Sequence, residues 1–477
     1  MFRILLINPP RAHLVKLDTP SNVDLGEISA FPPIGLMYLA QALRKKSGDF
    51  AVQILDAVPP GLSYSQIADK ALKFKPDIIG ITTFTFTFYD VLHTAITLKE
   101  VLPDVPIAVG GPHLYLFANE TMRHDCFDYA IVGDGEEVFT ELCCSLKGGR
   151  MVSNMQGLYS REGGQIKGSG AAFLKDLDTI PVPSVDLIDP LLYYSTIGKK
   201  AAVGTICTSR GCPFSCTFCQ VPKRKYLIRS LDNIVDEIKE YTKNGVTDFF
   251  FFDDLFNVTK ARVIEFSERL LREDMKIGWM FRGRVDQIDN NMLKMARRAG
   301  CHTISVGVED STNEGLKAIK KNITIEQAFE AVGLIRKSGI RCSTNWIIGF
   351  PRHKTPSDLK QLLDTAIKMD ADYALFSVLQ CMPGSELYEQ AVSEGGLDKE
   401  AWAGYVLNPS RDFHSPIWER HMTKEQLFEF YEYAFRRYYF RPRVILREAL
   451  RINSFAEAAN KARSFARVFM YAGDNKN

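Results

Sequence analysis

The stretch Gly211-Cys-Pro-Phe-Ser-Cys-Thr-Phe-Cys-Gln220 places three cysteines in a C-x3-C-x2-C pattern, directly after an apolar run at 201–207. Three thiolates this close on one loop can occupy three corners of an iron–sulfur cube, and the fourth iron then has no protein ligand. An open metal position supports chemistry, whereas a closed site usually stabilises structure. We therefore predict that Cys212, Cys216 and Cys219 hold an iron–sulfur cluster.

Structural zinc is the alternative for these cysteines. Closed zinc sites want four protein ligands, commonly from two C-x2-C pairs, and the sequence contains no second pair. Cys207 could supply a fourth thiolate in principle, but it lies within the preceding apolar run. The remaining cysteines scatter along the chain, and we expect them to be reduced and mostly buried.

A series of apolar runs, most of them followed by a helical pattern, continues from the cysteine motif. The runs lie near 201–207, 247–252, 277–283, 302–307, 341–347 and 372–378. Their spacing is the βα rhythm of a barrel, with six strands where a full barrel has eight. A doubly wound sheet would show similar spacing, so periodicity alone leaves both architectures open.

Residues 1–150 show the same alternation before the motif. Strands are predicted at Arg3–Ile7, Ala51–Leu55, Asp77–Thr82, Ile107–Val109 and Tyr129–Val132, and helices near 34–46, 65–74, 90–101 and 136–146. Near-continuous apolar strands separated by helices indicate a doubly wound parallel sheet of Rossmann type, covered on both faces. Residues 151–195 break this rhythm with a hairpin-like turn at 161–165, and we interpret them as a linker.

The cysteine motif, with an aromatic residue at Phe218 and the βα series behind it, resembles the signature of the radical S-adenosylmethionine (SAM) superfamily. The resemblance implies a partial (β/α)6 barrel over 196–385 that holds a [4Fe-4S] cluster on the three cysteines. SAM would chelate the open iron through its amino and carboxylate groups. The resemblance also implies SAM contacts in the cysteine motif and at the strand ends. They are Phe218, Asp253, Asp254, Arg284, Glu309, Gly349 and Pro351.

Each of these contacts has a purely structural alternative. Asp253 and Asp254 could only cap the next helix. Arg284 and Glu309 could pair with each other without touching a ligand. Lys320 and Lys321 could equally be solvated helix charges or ligand contacts.

The loops after the strands of the first domain carry small and polar residues, at the edge where open parallel sheets bind ligands. Ahead of the barrel, this set resembles the cobalamin-binding domain of cobalamin-dependent radical SAM enzymes, and the resemblance covers roughly residues 1–385. The contacts that it implies are Asn8, Pro10, Thr82, Thr83, Gly110, Gly111, His113, Gly133, Gly135 and Glu136.

The sequence has no D-x-H-x-x-G motif, so the resemblance implies base-off cobalamin without a histidine beneath the cobalt. We expect His113 to pack its loop rather than to bind cobalt. The alternative for the whole domain is a Rossmann module that binds nothing. NAD binding is not supported, because no G-x-G-x-x-G follows the first strand.

Composition limits the remaining possibilities. The chain has 59 Lys plus Arg against 57 Asp plus Glu, and this net charge of +2 gives no global field for nucleic acid. No apolar stretch approaches the roughly 18 residues of a membrane span, and the first apolar run is too short for a signal peptide, so we expect a cytoplasmic protein. Residues 386–477 are predicted to be helical and to cover the barrel opening.

The end of the chain is basic, with nine Lys or Arg and two Glu between Arg436 and Arg467. A solvated amphipathic face, an anionic substrate site and peripheral contact with a membrane surface all fit this pattern.

The resemblance implies a cobalamin-dependent radical SAM methyltransferase of class B type. A 5′-deoxyadenosyl radical would abstract hydrogen from an unactivated carbon, which would take a methyl group from methylcobalamin. A flavodoxin- or ferredoxin-type protein would be the reductant, and the substrate would be a small molecule, a lipid or a peptide. Cyclisation or rearrangement without methyl transfer is the alternative within the family, and a non-enzymatic cobalamin or redox sensor is the alternative outside it.

Overall fold

The computed structural model describes residues 1–17, 29–150, 155–195, 202–221 and 224–450. The strands are β1 Phe2–Asn8, β2 Ser29–Ala30, β3 Phe50–Asp56, β4 Ile78–Thr82, β5 Ile107–Gly110, β6 Tyr129–Ile131, β7 Leu158–Glu162, β8 Gln165–Gly168, β9 Tyr194–Ser195, β10 Gly204–Ile206, β11 Ser209–Arg210, β12 Leu227–Ile228, β13 Asp248–Phe251, β14 Gly278–Gly283, β15 Cys301–Glu309, β16 Arg341–Ile348 and β17 Tyr373–Val378.

The α-helices fall mainly between these strands. They are α1 Ile34–Lys46, α2 Tyr64–Phe74, α3 Phe88–Val101, α4 Leu114–Thr121, α5 Gly135–Lys147, α6 Leu231–Lys243, α7 Lys260–Arg272, α8 Asn290–Arg298, α9 Asn313–Ala318, α10 Ile325–Lys337, α11 Pro356–Met369, α12 Glu386–Ser393, α13 Ala401–Leu407, α14 Lys424–Tyr439 and α15 Pro442–Ala449. In the part of the chain that the structure describes, no helix is both long and apolar enough to cross a bilayer.

The first sheet has seven strands in the order β3-β1-β4-β5-β6-β7-β8. The five predicted strands run parallel, and the middle of β1, Ile4–Ile7, is at most 1% exposed because helices cover both faces. The doubly wound domain is therefore confirmed. The turn at 161–165 joins β7 to β8, and this antiparallel hairpin extends the sheet through β6.

One helix of this domain was not predicted. Helix α4 is short, and Phe117 inside it has φ −128°, which interrupts the helical periodicity. The apolar pattern of the sequence is correspondingly irregular there.

The second sheet has six parallel strands in the order β10-β13-β14-β15-β16-β17. Neighbours in the sheet follow chain order without the reversal that a doubly wound sheet has at its switch point. The partial (β/α)6 barrel is therefore confirmed, and the sequence alternative of a second doubly wound sheet is wrong.

Side chains alternate between the two faces of the barrel strands. On β14, Trp279 and Phe281 are fully buried and pack with Phe251 on the helix-covered side. Met280 and Arg282 consequently face the lumen. On β13, Phe250 faces the lumen for the same reason.

The C-terminal helices cover the edge strand β17. The Tyr439 hydroxyl accepts from the Ala374 amide at 3.1 Å and donates to the Ala374 carbonyl at 3.0 Å, and Tyr438 donates to the Ala371 carbonyl at 2.7 Å. Helix α14 thus satisfies backbone groups that an edge strand would otherwise expose.

The described arginines of the basic segment lie at the opposite end of β17 from the cysteine motif. Arg441, Arg443 and Arg447 surround the buried carboxylate of Asp370 at 3.4–3.6 Å, and Arg447 also reaches Asp372 at 3.5 Å. These three arginines of the basic segment therefore dock helix α15 onto the acidic residues that precede β17. Its later members, Arg451, Lys461, Arg463 and Arg467, lie outside the described residues.

Candidate cofactor-binding site

A cavity of about 490 Å³ lies where the strands of the two sheets end towards each other. One wall is formed by the carboxyl ends of β4 and β5, which include Thr82 and Gly110, and by the loops after β5 and β6, which include Gly133. The other wall comes from the barrel and includes Phe252 and Asp254, which follow β13, and residues on both flanks of the cysteine motif. Of the sequence-predicted cobalamin contacts, the cavity is lined by Thr82, Gly110, Gly111, Gly133, Gly135 and Glu136.

The glycines of this wall fall into two groups: chain packing requires glycine at some positions, and others border open space. A Cβ on Gly111 would lie 2.5 Å from the Thr83 carbonyl oxygen, and one on Gly133 would lie 1.8 Å from the Ala172 carbonyl oxygen. Both have positive φ angles, 126° and 112°, so chain packing alone requires glycine there. By contrast, a Cβ on Gly110 or Gly135 would meet nothing within 4 Å.

Gly110 and Gly135 therefore leave open space that the protein itself does not need. A broad ligand that lies against the sheet edge would use that space, so this wall fits a corrin.

The other predicted cobalamin contacts do not line the cavity. Asn8 donates to Asp56 at 2.8 Å, Thr83 is fully buried, and Pro10 also lies outside the cavity lining.

His113 is 1% exposed, and its two ring nitrogens lie 3.0 Å from the hydroxyls of Thr85 and Thr121. Burial lowers its pKa to about 3, so the ring is neutral. Both nitrogens are already used, and the geometry gives His113 a loop-packing role.

Four buried charges join the two walls of the cavity. Asp134 accepts from Arg224 twice at 2.8 Å and from Arg210 at 2.8 Å, and Arg210 also pairs with Glu136 at 2.5 Å. Arg210 and Arg224 flank the cysteine motif, whereas Asp134 is the N-cap of α5 and Glu136 lies in its first turn, directly after β6. The predicted cobalamin contact Glu136 is therefore committed to an ion pair.

The cysteine loop is anchored at its centre. The Thr217 amide donates to the Ile319 carbonyl at 3.1 Å, and the Leu387 amide donates to the Thr217 carbonyl at 2.9 Å. Cys216 Sγ lies 4.0 Å from the Lys320 carbonyl oxygen. Burial raises the pKa of all three motif thiols, and each is raised further by another motif cysteine or a nearby carboxylate.

The number of protein donors distinguishes an open cluster from closed structural zinc. Tetrahedral zinc needs its thiolates on one point at about 2.3 Å. Among the described residues, no three His, Cys, Asp or Glu side chains converge in a way that could hold one metal ion. A cube instead spreads its cysteines over separate irons. Closed zinc needs a fourth ligand, and the candidate Cys207 donates to the Ser209 carbonyl at 3.1 Å instead, so the three motif thiols fit a cluster with one open iron better than structural zinc.

Asp253 and Asp254 have different surroundings. Asp253 is 1% exposed and accepts from the Thr208 amide at 2.6 Å, from the Thr208 hydroxyl and from the Ser209 amide at 3.1 Å. Burial raises the pKa of Asp253 to about 6 against these hydrogen bonds. Asp253 thus fixes the entry to the cysteine loop, while Asp254 lines the cavity. Neither caps α7, whose N-cap is Thr259.

The structural alternative, in which Arg284 pairs with Glu309, is wrong. Arg284 pairs with Asp286 at 3.0 Å and stacks over the Phe214 ring at 3.8 Å, which supports the cysteine loop. Glu309 pairs with Lys321 at 2.9 Å, and the Lys321 ammonium lies 5.9 Å from the centre of the Phe218 ring.

Glu309 has φ +74° next to a register shift between β15 and β16. Such bulges redirect side chains at functional edges, and strained backbone clusters at functional sites. Lys320 is exposed and pairs with Glu386 at 2.6 Å, so of the two lysines only Lys321 faces the site.

The turn Gly349–Pro351 is held from below by a buried histidine. The Nδ1 atom of His353 accepts from the amides of Gly349 at 3.1 Å and of Phe350 at 3.2 Å, and the Phe350 ring packs 5.7 Å from Phe218. The turn is therefore rigid beside the cysteine loop.

Sequence reasoning missed Asp134, Arg210 and Arg224. Their only signal is position, since two of them bracket the cysteine motif and one follows a glycine at a strand end.

Two family models match the chain. The B12 binding domain model matches residues 29–143, and the Radical SAM superfamily model matches residues 206–366. The first match covers β3 to β6, whose carboxyl ends and loops form one wall of the cavity, and the second runs from β10 into α11.

Relatives of known name match over most of the chain. The uncharacterized methyltransferase PH0819 of Pyrococcus horikoshii is 32% identical over 463 residues, which are 95% of this chain and 96% of that protein. The anaerobic magnesium-protoporphyrin IX monomethyl ester cyclase of Rubrivivax gelatinosus is 29% identical over 86% of this chain and 76% of its own length.

A solved structure also matches. The radical SAM methyltransferase TsrM of Kitasatospora setae, with cobalamin and a [4Fe-4S] cluster bound, has a TM-score of 0.67 at 20% identity, over 83% of this chain and 76% of TsrM. At this identity the likeness shows a shared fold.

Proposed function

This chain belongs to the cobalamin-binding radical SAM family, and from that membership we propose that it is a methyltransferase acting on an unactivated carbon. Membership confirms the predicted cofactor set, which is a [4Fe-4S] cluster, SAM and cobalamin. When bound, the reduced cluster supplies the electron that cleaves SAM, and cobalamin supplies a methyl carrier.

Within this proposal, Cys212, Cys216 and Cys219 hold the cluster. The open wall at Gly110 and Gly135 receives cobalamin, since added Cβ atoms would meet no protein there. The proposed SAM contacts belong to the cysteine loop, to the groups packed beside it or to the cavity wall. They are Phe218, Asp254, Glu309, Gly349 and Pro351.

The observation that carries the proposal is the shared cavity. Its two walls are the sheet edge of the B12 binding domain and the flanks of the cysteine motif. A methyl hand-over requires both reactive centres to face one substrate in one enclosed space, and enclosure excludes water from reactive intermediates. The buried ion pairs between Asp134, Glu136, Arg210 and Arg224 keep the two walls in register.

A flavodoxin- or ferredoxin-type reductant belongs to the same proposal. Cys219 is exposed, so one end of the cysteine loop reaches the surface where an electron donor can approach. Arg441 and Arg447 surround Asp370, so we do not extend the proposal to membrane contact through them.

The cyclase relative favours a second candidate, a radical cyclisation or rearrangement without methyl transfer. Anaerobic turnover with methyl-labelled SAM in a lysate of the source organism separates the two. Methyl transfer requires S-adenosylhomocysteine together with 5′-deoxyadenosine, and a product that carries the label. Deoxyadenosine without S-adenosylhomocysteine would reject the methyltransferase and support the second candidate. If neither product forms, a non-enzymatic sensor becomes the better account.

A further inference from the structure

The lumen of the barrel has an uneven distribution of charge. In the register of the sheet, Arg282 lies beside Ser305, and Ser305 lies beside Ser343. Two residues further along the strands, Asn345 lies beside Leu375. These neighbours are neutral. Arg282 is exposed and lies next to the carboxyl end of β14, on the lumen side.

The other cations around the site have acidic partners. Arg284 pairs with Asp286 at 3.0 Å, Lys321 pairs with Glu309 at 2.9 Å, and Arg210 pairs with Asp134 at 2.8 Å. These groups are therefore neutralised within the protein.

The Arg282 guanidinium differs. It lies 5.1 Å from the ring centre of Phe250 and 5.2 Å from that of Phe252. With the residues that the structure describes, it forms no ion pair and no hydrogen bond. Asp254 and Asp253 act on it only at longer range. A guanidinium carries five N–H donors, and two aromatic faces satisfy none of them.

The surroundings of this cation are apolar and accessible. Beside it, Phe252 is 44% exposed and lines the cavity, and three strands away in the sheet Leu375, on the lumen face of β17, is 37% exposed. An apolar surface left open beside an unpaired cation is complementary to an amphiphilic acid.

We propose that Arg282 binds a carboxylate or phosphate group of the substrate, whose apolar body packs against Phe252 and Leu375. The inference rests on the proposed function, because it requires that a substrate enters the lumen. It narrows the substrate class to organic acids with an apolar part. It also makes Arg282 a specificity-determining residue.

The same anion chemistry could come from the carboxylate of SAM, so the test must separate the two sources. The probes are 4-(trifluoromethyl)benzoate and 4-(trifluoromethyl)benzamide, which have the same shape and differ in charge. Binding to the anaerobic holoenzyme with saturating SAM is followed by fluorine NMR, for wild type, R282Q and R282K. R298Q is the matched control, because it removes an exposed arginine charge from the outer helix α8.

Charge-assisted hydrogen bonds should make the benzoate bind about tenfold to a hundredfold more tightly than the benzamide in wild type. R282Q should abolish this preference, R282K should keep part of it, and R298Q should keep all of it. Iron content and circular dichroism verify that the variants are folded and loaded. The affinity of R282Q for SAM, measured by equilibrium dialysis, should remain within about twofold of wild type. The loss of a hydrogen bond to a charged group would lower that affinity by much more.

Three results would overturn the proposal. One is equal binding of the two probes, or no benzoate binding at millimolar concentration, in wild type. Another is a benzoate preference that survives in R282Q. The third is a tenfold or larger loss of SAM affinity in R282Q, which would assign the guanidinium to the carboxylate of SAM. None of these readouts depends on methyl transfer, so a missing S-adenosylhomocysteine would reject the proposed function separately.

Discussion

The buried charges between the cysteine motif and the first domain allow a quantitative test by Asp134→Asn. The Asp134 side chain is 5% exposed and accepts three hydrogen bonds of 2.8 Å from Arg224 and Arg210. The substitution removes the charge and leaves the Arg224 guanidinium, also 5% exposed, without a counterion.

Removing one partner of a buried ion pair costs about 3–5 kcal/mol. We expect the lower end, about 3 kcal/mol, for two reasons. Arg210 keeps Glu136, and the Arg224 guanidinium stays stacked 4.5 Å over the Phe173 ring. The free energy of unfolding would be measured by urea titration of the chain, followed by circular dichroism.

Asp186→Asn is the matched control. Its partner Arg44 lies at 2.8 Å as well, but the side chains are 39% and 55% exposed. An exposed pair contributes at most about 1 kcal/mol, so this variant should be close to wild type.

The pH dependence has a definite sign. Although burial favours the neutral acid, the hydrogen bonds and charges of Arg224 and Arg210 lower the pKa of Asp134. The ion-pair contribution is therefore complete above the unfolded pKa of about 3.9 and is lost as the pH falls through the folded pKa. The reasoning is refuted if Asp134→Asn costs no more than Asp186→Asn at pH 7.

Three further results are expected. Gly110→Leu should lower the cobalamin bound per chain, measured by visible absorbance, without lowering Tm, whereas Gly133→Ala should lower Tm because its Cβ meets a carbonyl at 1.8 Å; equal effects of both on Tm would contradict this. The electron paramagnetic resonance spectrum of the Co(II) holoenzyme should show no nitrogen hyperfine coupling from His113, since both of its ring nitrogens are hydrogen-bonded to threonine hydroxyls; a coupling lost in His113→Ala would refute it. Tyr439→Phe should cost about 1–2 kcal/mol in urea unfolding, because it removes two hydrogen bonds to β17; an unchanged midpoint would argue against that role.

Local pattern was sufficient for most of the fold. The apolar runs predicted β1, β3 and β4 within a residue or two, because buried parallel strands are nearly continuously apolar. The same local units build a barrel and a doubly wound sheet, so strand order came only from the structure. The hairpin β7–β8 was visible as a turn, but its pairing with β6 depends on contacts distant in sequence.

The candidate site also has parts that local sequence predicts and parts that depend on contacts distant in sequence. The cysteine motif is local and could be found by spacing, whereas Asp134 meets Arg210 and Arg224 across 76 and 90 residues. Strand-end residue type also could not tell Asp253, whose oxygens are consumed by backbone amides, from Asp254, which lines the cavity.

The central claim is that three thiolates hold a cluster with one open iron. Cys216→Ala and Cys207→Ala test it as a pair, because Cys207 Sγ donates to the Ser209 carbonyl and is not one of the proposed ligands. The measurement is iron content and 5′-deoxyadenosine formation after anaerobic reconstitution with SAM and dithionite. Wild type and Cys207→Ala should contain a [4Fe-4S] cluster and form deoxyadenosine, and Cys216→Ala should do neither. Zinc in place of iron, or deoxyadenosine formation by Cys216→Ala at the wild-type rate, would contradict the account.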